Sequence, residues 1–487
     1  MSDPMSTTTT SAAPGRAPEW LADVVARSGE VPPTDVFPTV DELLASFEEL
    51  RAASSGRLTR RRIGTSRLGE PIWCYSVGTG SRAHVIVGGV HPNEPIGSVT
   101  ALHLARTAVE DRDLTSGTWD ATWHVVPTID PDGMRLNEGW LHGPFTRSHY
   151  SRHFYRPAPA EQVEWSFPLE YKDLYFDAVM PETLALMRLL DDTRPELLMT
   201  LHNGELGGVY YYLTEALPSV YGALAAIPEA QGLELDAGEP EAPFIPVLAP
   251  AIYAEIDPGA GYEHLVSLGL DPLAGAPSGG SSGSYASRHG TFSFVAELPY
   301  WSHPDSSDDS VSSHSYADAL ARAGVELGEV ADLLLGLLAE VDGELPDSSP
   351  LVRGSRAFLP FLRSDADALA LRAVEPEADR PATVAEVFSV ADQVRMFRLR
   401  FGGMLLRAVD GICALGTASP TARRVHARLT DVLAEWGREA DAHPLTPHPI
   451  AALAGVQYAS LLAVSRALQD RARQERTPQR DEDPGPP

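Results

Sequence analysis

His84-Val85-Ile86-Val87-Gly88-Gly89-Val90-His91-Pro92-Asn93-Glu94 decides how this chain is read. Its apolar run over 84–90 does not alternate, which predicts a short strand buried on both faces. His91 and Glu94 follow at once. Two other apolar runs end the same way: 197–201 leads into His202-Asn203-Gly204, and 292–296 leads into Glu297. In open α/β sheets, ligands sit outside the carboxyl ends of the strands, so all four polar residues are expected on one sheet edge. Two histidines and a carboxylate form a catalytic zinc set with one position open to water. His91, Glu94 and His202 are therefore expected to hold one Zn2+ per chain, with Glu297 as the general base that takes a proton from water. Singly these signals are weak, since His-x-x-Glu arises by chance and a histidine after a strand is commonly structural. Together they are strong, because sequestering two histidines and two glutamates at adjacent strand ends without purpose is costly.

Outward from this stretch, strand and helix signals alternate between about residues 40 and 340. Residues 39–52, 96–108 and 181–190 have helical character, 60–63, 72–77 and 122–126 read as strands, and Tyr210-Tyr211-Tyr212 alternates like a strand with one buried face. The order predicts an α/β fold with a largely parallel sheet. Residues 278–284 and 303–315 are loops by composition. Beyond Val325 only helical patterns remain, at 327–341, 384–405, 421–436 and 450–468. The expected organisation is a disordered N-terminus at 1–18, an α/β domain at 19–345, a helical C-terminal region at 350–475 and a disordered tail at 476–487.

The net charge of −29, from 67 acidic and 38 basic side chains, argues against nucleic acid or an anionic membrane as the main partner. Two cysteines, Cys74 and Cys413, cannot build a Cys-based zinc site and suit a reducing compartment. No signal-peptide pattern and no uninterrupted run of about 18 apolar residues occurs, so a cytoplasmic location is expected. No strand signal runs into a Gly-x-Ser-x-Gly elbow, since Gly279-Gly280-Ser281-Ser282-Gly283 lies in the Gly/Ser-rich loop, and nucleotide-binding glycine motifs are missing, which disfavours a serine hydrolase and a nucleotide enzyme.

The motifs together resemble the zinc carboxypeptidases, the metallopeptidase family that includes pancreatic carboxypeptidase A. Ile63-Gly64-Thr65-Ser66-Arg67-Leu68-Gly69-Glu70-Pro71-Ile72 is similar to the family's opening hairpin, and Gly88-Gly89-Val90-His91-Pro92-Asn93-Glu94-Pro95 to its paired-ligand motif. Asp130-Pro131-Asp132-Gly133 matches a family turn that usually begins with Asn. Pro181-Glu182-Thr183 opens the helix before the last ligand strand, and Ser278-Gly279-Gly280-Ser281 leads towards Glu297. The resemblance covers roughly residues 40–340. It implies a mixed, mostly parallel eight-stranded sheet flanked by helices, to which this chain adds its helical C-terminal region, and it implies one zinc ion and a metallocarboxypeptidase activity that removes C-terminal residues from peptides. It makes Arg135 the arginine that polarises the scissile carbonyl. It makes Arg156 the binder of the substrate carboxylate, with Arg147 and Arg152 as competitors. The family's substrate-facing tyrosine has no match within 271–277, leaving Tyr262 and Tyr285 as substitutes. A zinc deacylase or amidase acting on a small acylated amino acid or cell-wall peptide is the first alternative, and a non-catalytic binding protein on a retired peptidase fold the second. His303, Asp305 and His314 suggest a second metal site but read better as an acidic surface loop, and Glu205 is a candidate partner for a substrate amine. Oligomeric state is left open by the sequence.

Overall fold

The computed structural model describes residues 18–238, 240–267, 269, 271–273 and 278–476. The disorder expected for 1–18 and 476–487 therefore falls, but for Pro18 and Arg476, outside the described residues. Nine strands form the main sheet: Leu58–Thr65 (β1), Pro71–Val77 (β2), Arg82–Val87 (β3), Ala121–Val126 (β4), Leu197–Leu201 (β5), Tyr210–Leu213 (β6), Val247–Ala249 (β7), Ile252–Ala254 (β8) and Phe292–Glu297 (β9). Their order is β1-β2-β4-β3-β5-β9-β6-β8-β7. The central strands β4, β3, β5 and β9 are parallel. Outside them, β1 and β2 join antiparallel, β6 runs against β9, and β7 folds back on β8.

Nine strands thus replace the eight expected, and the sheet is mixed: parallel pairing runs through the centre and recurs between β6 and β8, while the other neighbours are antiparallel. The edge pair β7–β8 consists of two three-residue strands joined by a tight turn in which Ala251 takes a positive φ. Such strands are too short to show a period-2 pattern. Strand β6 also differs from expectation. Tyr211, Tyr212 and Leu213 are all buried, so both of its faces are covered.

The helices that matter for the site are Leu21–Arg27 (α1), Val40–Ala53 (α2), Ile96–Glu110 (α3), Pro181–Thr193 (α4), Pro218–Ala230 (α5), Tyr316–Val341 (α6), Pro350–Arg372 (α7), Val384–Ala414 (α8), Pro420–Asp441 (α9) and Ile450–Arg476 (α10). Helix α2 starts on a capping box, with Thr39 accepting from Glu42 N and the Glu42 carboxylate accepting from Thr39 N. Helices α6 to α9 pack on one another, and α8 and α9 rest on residues 147–153.

Helix α10 does not share that arrangement. It packs against α1, α3 and α5 and reaches the sheet. Gln457 Nε2 donates to the carbonyl of His202 (2.9 Å), Thr100 Oγ1 donates to Gln457 Oε1 (2.7 Å), and Ser465 Oγ is hydrogen-bonded to His84 Nε2 (2.8 Å). Gly455 passes so close to Ser28 O that a Cβ there would lie 2.0 Å from it. The expected boundary between 345 and 350 therefore cuts through a packed layer, because α10 is a flanking helix of the α/β sheet. By length and composition Ile450–Glu475 could cross a membrane, but 89% of its most apolar window is buried inside the protein. A helix apolar all round is what a core position requires.

Leu462 is fully buried in α10. Leu462→Ala is expected to cost about 2–5 kcal/mol, the usual range for a large-to-small change in a core. The shift of the urea unfolding midpoint measures it, and an unchanged midpoint would show that α10 is not part of the core.

Candidate metal centre and cavity

Strand register builds this site. In β3 and β9, His84 and Phe292 both face Leu197 of β5, and Ala296 pairs with Leu201. His202 and Glu297, one residue further on, therefore emerge level with each other. After β3 the chain passes tightly over 127–128: a Cβ on Gly88 would lie 2.5 Å from Pro127 O, and one on Gly89, at φ +67°, 2.6 Å from Thr128 Oγ1. Only glycine fits both positions, and the turn they allow delivers His91 and Glu94 to the same edge.

His91 Nδ1 lies 3.1 Å from Glu94 Oε1, and His202 Nδ1 lies 3.4 Å from Glu94 Oε2. One ligand atom from each of the three residues falls within 4.8 Å of the others. His202 Nε2 is 3.1 Å from Thr200 Oγ1, which orients the ring and turns Nδ1 towards the Glu94 and Glu297 carboxylates. His91 Nε2 is buried and unpartnered. Glu297 Oε1 is 3.6 Å from His202 Nδ1.

Electrostatics match the geometry. Burial, reinforced by Arg156, pulls His91 down to about 3. Burial opposes charge on His202 too, but the Glu94 hydrogen bond and the Glu297 carboxylate outweigh it and raise His202 to about 9. Burial works against the Glu94 carboxylate, yet His91 and Arg156 hold it well below the usual range. Glu297 is pushed up, chiefly by burial. Anionic oxygens thus crowd around a histidine nitrogen that needs a positive charge. A divalent cation meets that need, and one neutral imidazole, one carboxylate and a second imidazole that can lose its proton are a zinc-type donor set.

These residues line a cavity of about 810 Å³. Its lining includes the carboxylates Glu164, Glu241 and Glu255. Burial lifts Glu255 to about 7, and Glu164 is raised by the same cause while accepting from Ser282 N and Oγ. One side is a face of α8. Ser389, Asp392, Gln393, Met396 and Arg400 recur there at helical spacing and all line the cavity.

Arg156 reaches the cavity. Its Nη1 donates to Glu94 Oε1 (2.7 Å) and its Nε to Gln162 Oε1 (3.0 Å). Arg135 does not. The short helix Pro131–Arg135 carries it away, and its guanidinium donates to Asp41 (2.7 Å) and Glu70 (2.9 Å), with Glu138 at 3.8 Å. The carbonyl-polarising role expected of Arg135 is therefore corrected: three acids neutralise it outside the site. Arg147 is buried in a two-point pair with Asp392 (2.6 and 2.8 Å), and Arg152 is exposed. Tyr262 and Tyr285 donate to Asp173 and Asp191 and do not line the cavity, whereas Tyr210, Tyr212 and Tyr316 do. His303 stacks on Phe388, and among the described residues no second metal-binding group of His, Cys, Asp and Glu occurs. Glu205 is ion-paired with Arg400. Sequence reading missed Arg400, Glu164 and Glu255. A polar face on an otherwise buried helix was the one signal for Arg400, and nothing local marks the two glutamates.

A zinc carboxypeptidase family model matches residues 43–231, a span that includes His91, Glu94 and His202 but ends before Glu297. No curated protein matches the chain. Among solved structures, carboxypeptidase A from Helicoverpa armigera aligns at 14% identity and a TM-score of 0.38, covering 73% of this chain and 79% of its own. A metallo-carboxypeptidase from Burkholderia cenocepacia aligns at 16% identity and a TM-score of 0.32, over 54% and 60%. Bovine thrombin-activatable fibrinolysis inhibitor, solved with a tick carboxypeptidase inhibitor, aligns at 12% identity and a TM-score of 0.33, over 74% and 99%.

The purified protein is expected to hold about one zinc per chain, as one open three-ligand site requires. His202→Ala should lose most of it, and Arg135→Ala should keep it. Elemental analysis after dialysis measures both; zinc retained by His202→Ala would place the metal elsewhere.

Proposed function

Because a zinc carboxypeptidase family model matches residues 43–231, we propose that this protein is a metallocarboxypeptidase that removes C-terminal residues from peptides, with His91, Glu94 and His202 as its zinc ligands. One observation carries the reading: the donor atoms of these three residues converge within 4.8 Å, with the Glu297 carboxylate 3.6 Å from His202. A cytoplasmic location and a peptide or acylated amino acid as the partner belong to the same proposal.

A zinc ion held by these residues supplies Lewis acidity towards water and the scissile carbonyl. Glu297 does the proton work. Its carboxylate takes a proton as the water oxygen adds to the carbonyl carbon, and hands that proton to the departing nitrogen when the C–N bond breaks. The upward push on Glu297 suits a group that must hold a proton between the two steps. Arg156 is the guanidinium beside the ligands. It is suited to the free carboxylate of the last residue, which a planar fork of donors can grip at two points. The acid-lined cavity has room for several residues or for a bulky acyl group, which keeps the amidase in view as the alternative.

Glu297→Gln is expected to keep its zinc while turnover falls by a factor of roughly 10² or more. Loss of zinc in that variant would make Glu297 a ligand instead. Peptides with free C-termini are expected to be cut and their C-terminal amides spared. Equal rates on the acid and the amide would remove the carboxypeptidase assignment and leave a zinc amidase.

A further inference from the structure

Arg400 belongs to α8, outside the span that the family model matches, yet it faces the same cavity as the candidate ligands. Its side chain is 16% exposed, and among the described residues it is ion-paired with Glu205, whose side chain is 4% exposed. Arg400 also lies over the Phe154 ring, 5.0 Å from its centroid. Arg400 Nε has no hydrogen-bond partner, and neither does Glu205 Oε2. Burial pulls Arg400 down to about 10, so it keeps its charge at neutral pH, and Arg156 is near enough to repel it. Two arginines thus share one region of the cavity, where Glu94 is the acid that Arg156 contacts and Glu205 the acid that Arg400 contacts.

Helix α8 is held firmly enough to keep this charge in place. Asp392 takes both Nη atoms of Arg147, and Arg407 donates to the carbonyls of Leu136, His153 and Phe154. Gly403 lies against Ser151 O, where a Cβ would be 2.3 Å away. A rigid, desolvated guanidinium binds a carboxylate more strongly than a mobile surface one does. The protein displays the matching group itself, since Glu205 presents a carboxylate on a two-carbon stem. The cavity wall is otherwise rich in carboxylates, Glu164, Glu241 and Glu255 among them, so an entering carboxylate needs a guanidinium to meet it, and Arg156 and Arg400 are the two that line the cavity beside each other.

We propose that Arg400 forms a second anion subsite that receives the side-chain carboxylate of an acidic C-terminal residue, and that Glu205 holds this place until substrate displaces it. The substrate class is then a peptide ending in glutamate or aspartate, with its main-chain carboxylate on Arg156 and its side-chain carboxylate on Arg400. This rests on the peptidase reading above.

The test uses the full-length, zinc-loaded protein with benzoylglycyl dipeptides ending in Glu, Gln or Lys. Wild type should favour Glu over its neutral isostere Gln by lower KM. Arg400→Gln should raise KM for the Glu substrate on the order of 10- to 100-fold and change the Gln substrate far less, so that the preference for Glu over Gln is lost. Arg400→Lys should recover part of the loss, and Glu205→Gln should lower KM for the Glu substrate by freeing Arg400. A purely structural pair predicts otherwise: Arg400→Gln and Glu205→Gln would each impair the Glu and Gln substrates alike and lower the unfolding midpoint. That result, or a preference for Lys indifferent to Arg400→Gln, overturns the proposal. If wild type cleaves none of the three, the peptidase reading fails, and calorimetric binding of N-acetyl-L-glutamate decides the subsite alone. Binding lost in Arg400→Gln supports it; no binding to wild type, or equal affinity in both, overturns it.

Discussion

Backbone hydrogen bonding between three parallel strands is the constraint on which the site depends. β3 and β9 both pair with β5 and put His84 and Phe292 against Leu197. Once that register is set, the chain has no freedom over where the next residues emerge. A slip of one residue would exchange the two faces of β5 and β9, and both faces are packed almost throughout, so every side chain would meet the wrong neighbours. Core burial and site geometry are therefore one problem. The register that hides Leu198, Met199 and Phe294 is the register that aligns His202 with Glu297.

The charges gathered there are held by compensation. Glu94 is buried, and Arg156, His91 and His202 surround it. Removing one member of such a set leaves an uncompensated buried charge, which is far more costly than the set is stabilising. The supporting elements lie outside the strands. Gln457 of α10 satisfies the His202 carbonyl from below, and Asn203 N donates to Glu94 Oε2 (3.2 Å). Helix α8 closes the cavity from the other side. The C-terminal third of the chain thus contributes both a floor and a wall.

Much of this was legible in the sequence, for definite physical reasons. Central parallel strands are continuous apolar runs, and polar residues directly after them stand out, so His91, Glu94, His202 and Glu297 could be singled out together. Arg135 was misread because its place after Asp130-Pro131-Asp132-Gly133 says nothing of direction. Asp130 caps a single helical turn through Gly133 N, and that turn aims Arg135 at Glu70 and Asp41. Helix α10 was assigned to a separate region because helical periodicity does not name a partner; its all-round apolar character was the missed clue. The β7–β8 hairpin was too short to carry a pattern. Arg400 lies about 200 residues beyond His202 in the chain, and only tertiary packing brings the two to one cavity.

The account's central claim is that one metal ion sits among His91, Glu94 and His202 with Glu297 beside it. Anomalous diffraction from crystals of the zinc-loaded protein, collected on both sides of the zinc absorption edge, tests this most directly. The account predicts a single strong peak about 2.0–2.2 Å from one donor atom of each of the three residues, with Glu297 outside bonding distance. A peak at another set of residues, or Glu297 in the first coordination sphere in place of Glu94, would contradict it.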